Sequence, residues 1–248
     1  MPRTSRDRLG LMTPRDLDVE GLANARDLGG LERNDGSVTP TGVFYRSEML
    51  DRVTSDGWRV LRDLGVRTVV DLRRPEERTA ADGNGIDLIA ADLDGDDEQF
   101  WAPYEADGRW GTPLYYLPHL AGIPGRMRAV LDAIAAAPDG AVLFHCAAGW
   151  DRTGLVSAML LRALDVTPDA AVTDYLRSFE TAPAMEALHG RSSHVQQRLG
   201  VLSSHGHTPE SAFRTAYTGL DVDAWFATAE VAPTTRVAVR TWRGAVSS

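Results

Sequence analysis

Apolar residues recur along this chain in two periods, one typical of strands and one typical of helices. Short apolar or β-branched runs bounded by polar turns predict four buried strands: VFYRS (43–47), RTVVDLR (67–73), IDLIAAD (86–92) and AVLFH (141–145). Helical patterns lie between and after these runs. The alternation predicts an α/β fold, in which helices flank a central, mostly parallel sheet and a helical part follows at the C-terminal end.

The helices have readable ends. Thr54 is placed to cap a helix that carries Trp58, Leu61 and Leu64, and Gly65 follows where a left-handed residue ends a helix. Three further helices are predicted to begin at prolines, the last two of which follow a capping threonine: Pro124, Pro168 and Pro209.

The length of 248 residues fits one large domain, predicted over 16–248 after a flexible arm of residues 1–15. Hydrophobic residues make up 43% of the chain, but no window approaches the roughly 18 apolar residues of a membrane span. A net charge of −9 argues against partners such as nucleic acid or anionic membranes. One cysteine excludes an internal disulfide and favours the cytoplasm, although export by a non-classical route stays open.

The chain's one cysteine lies in HCAAGWDRTG (145–154), between the strand predicted at 141–145 and an apolar run at 155–161 that predicts a helix. At such a junction, backbone N–H groups and the positive end of the helix dipole converge on one point. This arrangement binds phosphate, and it favours the thiolate form of Cys146.

The side chains around the cysteine suit a phosphate ligand. Arg152 offers a planar fork for two phosphate oxygens, and Thr153 can donate its hydroxyl to the thiolate. Gly149 permits tight curvature, and His145 is placed to orient the loop through hydrogen bonds. The alternative is that Cys146 is only a small buried hydrophobe, which the fixed spacing of the arginine and threonine disfavours.

The motif HC-x5-R-[ST]-G is the signature of the cysteine-dependent protein tyrosine and dual-specificity phosphatases. The loop here most closely resembles that of bacterial tyrosine phosphatases, which reads HCxxGKDRTG. NARDLGG (24–30) is similar to an N-terminal element of the same group, and VFYRSEML, RTVVDLRRPEE and DYLRS are similar too. The resemblance spans residues 20–180 and implies a phosphatase-like three-layer sandwich.

The resemblance also implies a function. Cys146 is expected to form a phosphocysteine while Arg152 and the loop hold the phosphoryl oxygens, with no metal or organic cofactor. The substrate is expected to be a phosphorylated protein or a small phosphomonoester. The expected phosphate-binding residues are Ala147, Ala148, Gly149, Trp150, Thr153 and Gly154.

The leaving group needs a proton, and two positions in the sequence offer a carboxylic acid. Asp151 matches an aspartate that the bacterial group carries inside the loop, and it is preferred because it stands beside Arg152. Asp92 and Asp94 lie in AADLDGDDEQF (90–100), where other phosphatases of this class carry their acid. The alternative roles are a turn-forming aspartate for Asp151 and a solvated acidic loop for the other two.

Trp150 stands where close relatives have lysine, so the replacement removes a cation from the mouth of the site. The loop's GWDRT is similar to that of myotubularin-type lipid phosphatases. The indole either offers a flat face to a substrate ring or packs beneath the loop. The acidic chain favours phosphotyrosine, with phosphoserine or phosphothreonine as a second activity and phosphoinositides as the alternative substrate.

Three other functions compete with this interpretation. A sulfurtransferase shares the strand–loop–helix but has a shorter loop, and a non-catalytic phosphate-binding module usually lacks the cysteine or arginine. A metal site would use the four C-terminal histidines, whose spacing matches no familiar site: His189, His194, His205 and His207. The oligomeric state is left open.

Overall fold

The computed structural model describes residues 13–79, 82–191 and 194–247. Their strands form one five-stranded sheet in the order β1-β2-β5-β3-β4. The β1–β2 pair is antiparallel and the other three pairs are parallel, which confirms the predicted α/β class. The strands are β1 (Arg26–Asp27), β2 (Phe44–Ser47), β3 (Val66–Asp71), β4 (Asp87–Ala90) and β5 (Ala141–His145).

Ten α-helices lie within the described ranges, and the predicted helix starts are confirmed. The helices are α1 (Ser55–Asp63), α2 (Glu98–Ala106), α3 (Tyr116–Gly122), α4 (Pro124–Ala136), α5 (Asp151–Ala163), α6 (Pro168–His189), α7 (Val195–Ser204), α8 (Pro209–Gly219), α9 (Val222–Thr228) and α10 (Pro233–Arg240). Short 3₁₀ turns lie at Pro75–Glu77 and Pro113–Tyr115. None of the helices in the described part of the chain combines the length and apolarity that crossing a membrane requires.

Two strands differ from the sequence prediction. β4 is not buried: it forms one edge of the sheet, pairs only with β3, and leaves Leu88 43% exposed. An edge strand has one neighbour and a solvated side, so its apolar run does not imply burial. β1 was not predicted, because two residues carry no detectable period. Of the predicted arm, residues 1–12 lie outside the described residues.

Alternate side chains of β5 enter two apolar cores on opposite faces of the sheet. Val142 and Phe144 pack into the larger core, which α4, α5 and the C-terminal helices complete. Ala141 and Leu143 pack into the smaller core with Trp58 of α1. Since β5 is covered on both faces, the loop at its carboxyl end has a rigid support.

A buried ionic cluster joins the N-terminal segment, the sheet and α6. Asp174 of α6 is 1% exposed and accepts hydrogen bonds from three arginines. Its carboxylate lies 2.8 Å from Arg15, 2.9 Å from Arg26 and 2.6 Å from Arg46. These charges hold the pKa of Asp174 far below its ordinary value although burial acts to raise it, so the carboxylate stays ionised.

Replacing Asp174 by asparagine is expected to lower the free energy of unfolding by about 3–5 kcal/mol, because the buried guanidinium groups lose their counter-charge. Denaturant titration followed by circular dichroism measures the change. Asp169→Asn is the matched control, since that carboxylate lies on the same helix in an exposed pair with Arg214 and contributes little. An equal loss of stability in the two variants would show that the cluster does not stabilise the fold.

Candidate active site

The candidate active site lies where β5 ends at His145 and α5 begins at Asp151. Cys146 follows the strand, is 3% exposed, and lines a cavity of about 630 Å³. The predicted strand–loop–helix junction is therefore present. Loop residues that share this lining are Ala147, Ala148, Trp150, Asp151 and Arg152, and more distant elements contribute Arg74, Trp110, Tyr115, Arg191 and Arg198.

The carbonyl groups of the loop are bound by residues outside the cavity. Asn24 donates from Nδ2 to the carbonyl oxygen of Ala148 at 2.9 Å, and Arg46 donates from Nη2 to that of Gly149 at 2.9 Å. A trans peptide carries its N–H opposite its C=O. The amides that follow these carbonyls therefore point away from Asn24 and Arg46, the orientation that an oxyanion in the cavity would need in order to accept from them.

Gly149 is the residue that this curvature requires. Its φ is +67°, and a Cβ atom there would lie 2.5 Å from backbone atoms of Ser47 and Glu48. Glycine alone fits both restrictions. Of the predicted phosphate-binding residues, Gly149, Thr153 and Gly154 are buried and are not among the residues that line the cavity.

Two predicted supporting contacts have different outcomes. His145 Nδ1 lies 3.0 Å from the carbonyl oxygen of Cys146, within the loop it was expected to orient, and burial lowers the pKa of its imidazole. The Thr153 hydroxyl is buried but makes no hydrogen bond to any described residue, so the expected donation to the thiol is not formed.

A carboxylate that sequence reasoning missed holds Arg152. Glu77, in the first 3₁₀ turn, accepts from both terminal nitrogens of the arginine at 2.5 and 2.7 Å. Burial acts to raise the pKa of Glu77, but the Arg152 hydrogen bond and charge outweigh it and lower that pKa. The bidentate pair fixes the guanidinium plane. The only sequence signal was RRPEE (73–77), at the end of the second predicted strand.

Asp94 lies on the Arg152 side of the site but outside the cavity lining. It is 1% exposed, so it does not belong to a solvated loop, and its carboxylate lies 3.3 Å from Arg152 and 3.4 Å from Arg74. Burial raises the pKa of Asp94 to about 6, against the charges of both arginines. Asp92 instead accepts backbone hydrogen bonds from Asp94 and Gly95, as a turn-forming residue does.

Asp151 lines the same cavity as the cysteine. Its backbone carbonyl accepts a hydrogen bond from the hydroxyl of Tyr116 at 2.8 Å, and its carboxylate forms an ion pair with Arg198 of α7. Burial raises the pKa of Asp151, while the charges of Arg198 and Arg152 oppose that rise. A carboxyl group with a raised pKa in the same cavity as a nucleophile is suited to proton transfer.

Trp150 packs beneath the loop, which is one of the two interpretations that the sequence left open. Its side chain is 2% exposed and meets Phe179 edge-on, with ring centroids 4.1 Å apart. The guanidinium carbon of Arg198 lies 4.5 Å from the Trp150 ring centroid. The absence of lysine at position 150 was expected to remove a cation from the site. Arg198 of α7 supplies a cation there instead.

The histidine metal site that was named as an alternative is not formed by the described residues. Among them, no group of three or more histidine, cysteine, aspartate or glutamate side chains is arranged to hold a metal ion. His205 lies 3.7 Å from Asp107, and His194 donates its backbone N–H to Glu186. These contacts place the two histidines in separate local pairs.

Comparison with known proteins indicates the same family that the loop motif resembles, the tyrosine phosphatases. The model of the tyrosine phosphatase family matches residues 17–241. Triple specificity protein phosphatase PtpB of Mycobacterium tuberculosis is 31% identical over 215 residues, which cover 73% of this chain and 75% of that protein. A Cupriavidus necator protein named as a tyrosine-protein phosphatase is 33% identical over 171 residues, 66% of this chain.

The chain spans 63% of the length of the Cupriavidus relative. Among solved structures, TpbA of P. aeruginosa matches with 21% sequence identity and a TM-score of 0.37, over 76% of this chain and 86% of its own.

Gly149→Ala is expected to weaken the binding of inorganic phosphate at least about 10-fold, because the added methyl group meets the Ser47–Glu48 backbone and moves the loop amides. Calorimetric titration measures the affinity. Gly36→Ala is the matched control, since Gly36 also has a positive φ, +82°, but a Cβ there meets nothing within 4 Å. Unchanged phosphate affinity in Gly149→Ala would contradict the assigned anion cradle.

Proposed function

The chain belongs to the tyrosine phosphatase family, and we propose that it hydrolyses phosphotyrosine by forming a phosphocysteine on Cys146. The observation that carries the proposal is that Cys146 lines the same cavity as Arg152 and Asp151, in a loop whose carbonyls are bound by Asn24 and Arg46. Phosphoserine and phosphothreonine are proposed as second substrates, which the triple specificity in the name of PtpB supports.

In the first step the thiolate of Cys146 attacks phosphorus and an S–P bond forms. The P–O bond to the leaving group breaks, and Asp151 donates its proton to the departing oxygen. Arg152 and the loop amides hold the three non-bridging oxygens. Since these donors are already fixed, they stabilise the transition state without reorganising.

In the second step water attacks the phosphocysteine. The carboxylate of Asp151 takes a proton from that water, the S–P bond breaks, and Cys146 leaves as a thiolate with inorganic phosphate as product. No oxidant, reductant or metal enters this balance. The same aspartate therefore serves first as acid and then as base.

Arg152 acts in both steps, and Glu77 is proposed as the residue that positions it. The bidentate pair between them uses both terminal nitrogens of the arginine in the free protein. A bound phosphoryl group would compete for these donors, so Glu77 holds the guanidinium near its working orientation until substrate arrives. This pairing also neutralises the arginine while the cavity is empty.

The cavity walls suit an aromatic phosphate ester. Tyr115 and Trp110 line it together with Cys146, and Trp110 is 39% exposed. Aromatic walls favour the ring of phosphotyrosine over short aliphatic esters. A reducing compartment keeps a single nucleophilic thiol reduced, so we propose the cytoplasm of a bacterial cell as its location.

Cys146→Ser is expected to abolish turnover of p-nitrophenyl phosphate, by about 1000-fold or more, because serine at this site is a far weaker nucleophile. The assay is release of p-nitrophenolate without added metal. Retained phosphate binding in the variant shows that the cavity has kept its shape. Equal turnover by both proteins would mean that Cys146 is not the nucleophile, and binding without turnover by either would favour a non-catalytic phosphate-binding module.

Asp151→Asn is expected to reduce turnover of phenyl phosphate by about 100-fold and of p-nitrophenyl phosphate much less, because only the more basic leaving group needs a proton. The wild-type rate should also fall as pH rises through the raised pKa of Asp151. The pH–rate profile of the variant should not show this fall. Steady-state kinetics on both esters measure the two effects.

Asp94→Asn is the matched variant for that experiment. Asp94 contacts Arg152 and Arg74 and does not line the cavity, so its change is expected to lower turnover of the two esters by the same factor. A leaving-group dependence that appears in Asp94→Asn and not in Asp151→Asn would transfer the acid role to Asp94.

A further inference from the structure

Arg198 enters the cavity from α7 and is held in a fixed position there. Its Nη1 donates to the carbonyl oxygen of Gly111 at 2.5 Å and to the carboxylate of Asp151. Its guanidinium also lies over the ring of Trp150, and the side chain is 20% exposed. A planar cation fixed by stacking loses little further freedom when it binds a ligand.

Part of this guanidinium is still available for binding. Nε and Nη2 donate no hydrogen bond to any of the described residues, and Arg198 lines the same cavity as Cys146. An arginine has five N–H donors in a rigid fork. Arg198 can therefore donate from Nε and Nη2 to a bound oxyanion while its guanidinium remains stacked on the ring of Trp150.

The proposed reaction removes the present partner of Arg198. Asp151 must carry a proton before it can act as the acid, and a protonated carboxyl group no longer neutralises the guanidinium. A largely buried cation without a counter-charge is costly. The reactive state therefore needs another anion beside Arg198, at a time when the scissile phosphate is already held by Arg152 and the loop amides.

We propose that Arg198 binds a second negative group of the substrate, a carboxylate or phosphate on a residue next to phosphotyrosine in a peptide. The inference rests on the proposed phosphatase function and names the substrate class for that site. A peptide is favoured over a lipid surface because the chain carries a net charge of −9, which repels an anionic bilayer over the whole protein surface.

The test compares two phosphotyrosine peptides of equal length, in which both neighbours of the phosphotyrosine are glutamate in one and glutamine in the other. The wild type is expected to show a kcat/KM about 10-fold higher on the glutamate peptide, the effect of one charge-assisted hydrogen bond. Without such a subsite the acidic protein would prefer the glutamine peptide. Turnover of p-nitrophenyl phosphate by each protein is the reference.

Arg198→Gln is expected to reduce that preference to about 1, and Arg198→Lys to leave an intermediate preference, because lysine keeps the charge but not the fork. Arg214→Gln is the matched control, since it makes the same change of net charge on α8, in an exposed pair with Asp169. It is expected to keep the wild-type preference. The lysine variant and the wild-type preference itself serve as the test should the glutamine variant not fold.

Two results would overturn the inference while leaving the proposed function intact. The first is a wild type that turns over both peptides equally. The second is an Arg198→Gln variant that loses activity equally on both peptides and so keeps the wild-type preference, which would limit Arg198 to the scissile phosphate or to Asp151. Turnover of phosphatidylinositol phosphate vesicles but of neither peptide would overturn the inference together with the phosphotyrosine specificity of the proposed function. If the wild type does not turn over p-nitrophenyl phosphate either, the proposed function itself fails.

Discussion

The site depends on one constraint: the carbonyl groups of the loop must be bound by donors that lie outside the cavity. An anion cradle needs several N–H groups directed at one point, and this conformation leaves the carbonyls in a buried region where each needs a donor. Arg46 and Asn24 supply those donors. Arg46 is in turn bound to Asp174 of α6, so the shape of the loop depends on a carboxylate in a different helix.

The loop is held from the opposite side through its arginine. Glu77 binds Arg152 directly, and Asp94 lies behind the pair with a pKa of about 6. Below that pH Asp94 is protonated and its attraction for Arg152 is lost, whereas the Glu77 carboxylate, whose pKa is lowered, still holds the arginine. Glu77 therefore sets the pH range over which the arginine is held, and Asp94 adds to the attraction only above about pH 6.

The sequence predicts those parts of the site whose causes are local. Cys146, Gly149 and Arg152 lie within one short loop between a strand and a helix, and the chemistry of a phosphate explains their spacing. Glu77 and Arg198 could not be predicted, because they reach the loop from other elements and their contact depends on how the chain packs. The burial of Trp150 was equally undetermined, since an indole at that position fits both a packed and an exposed orientation.

The packing of Trp150 also changes how charge is distributed around Cys146. A lysine at this loop position would be a flexible point charge attached to the loop itself. Here the cation belongs to α7 and its position depends on the indole surface, so the charge is tied to the packing of a separate helix. Because Arg198 also neutralises Asp151, the protonation of the proposed acid and the position of α7 are coupled. A movement of α7 away from the loop would remove a cation from Asp151 and raise its pKa further.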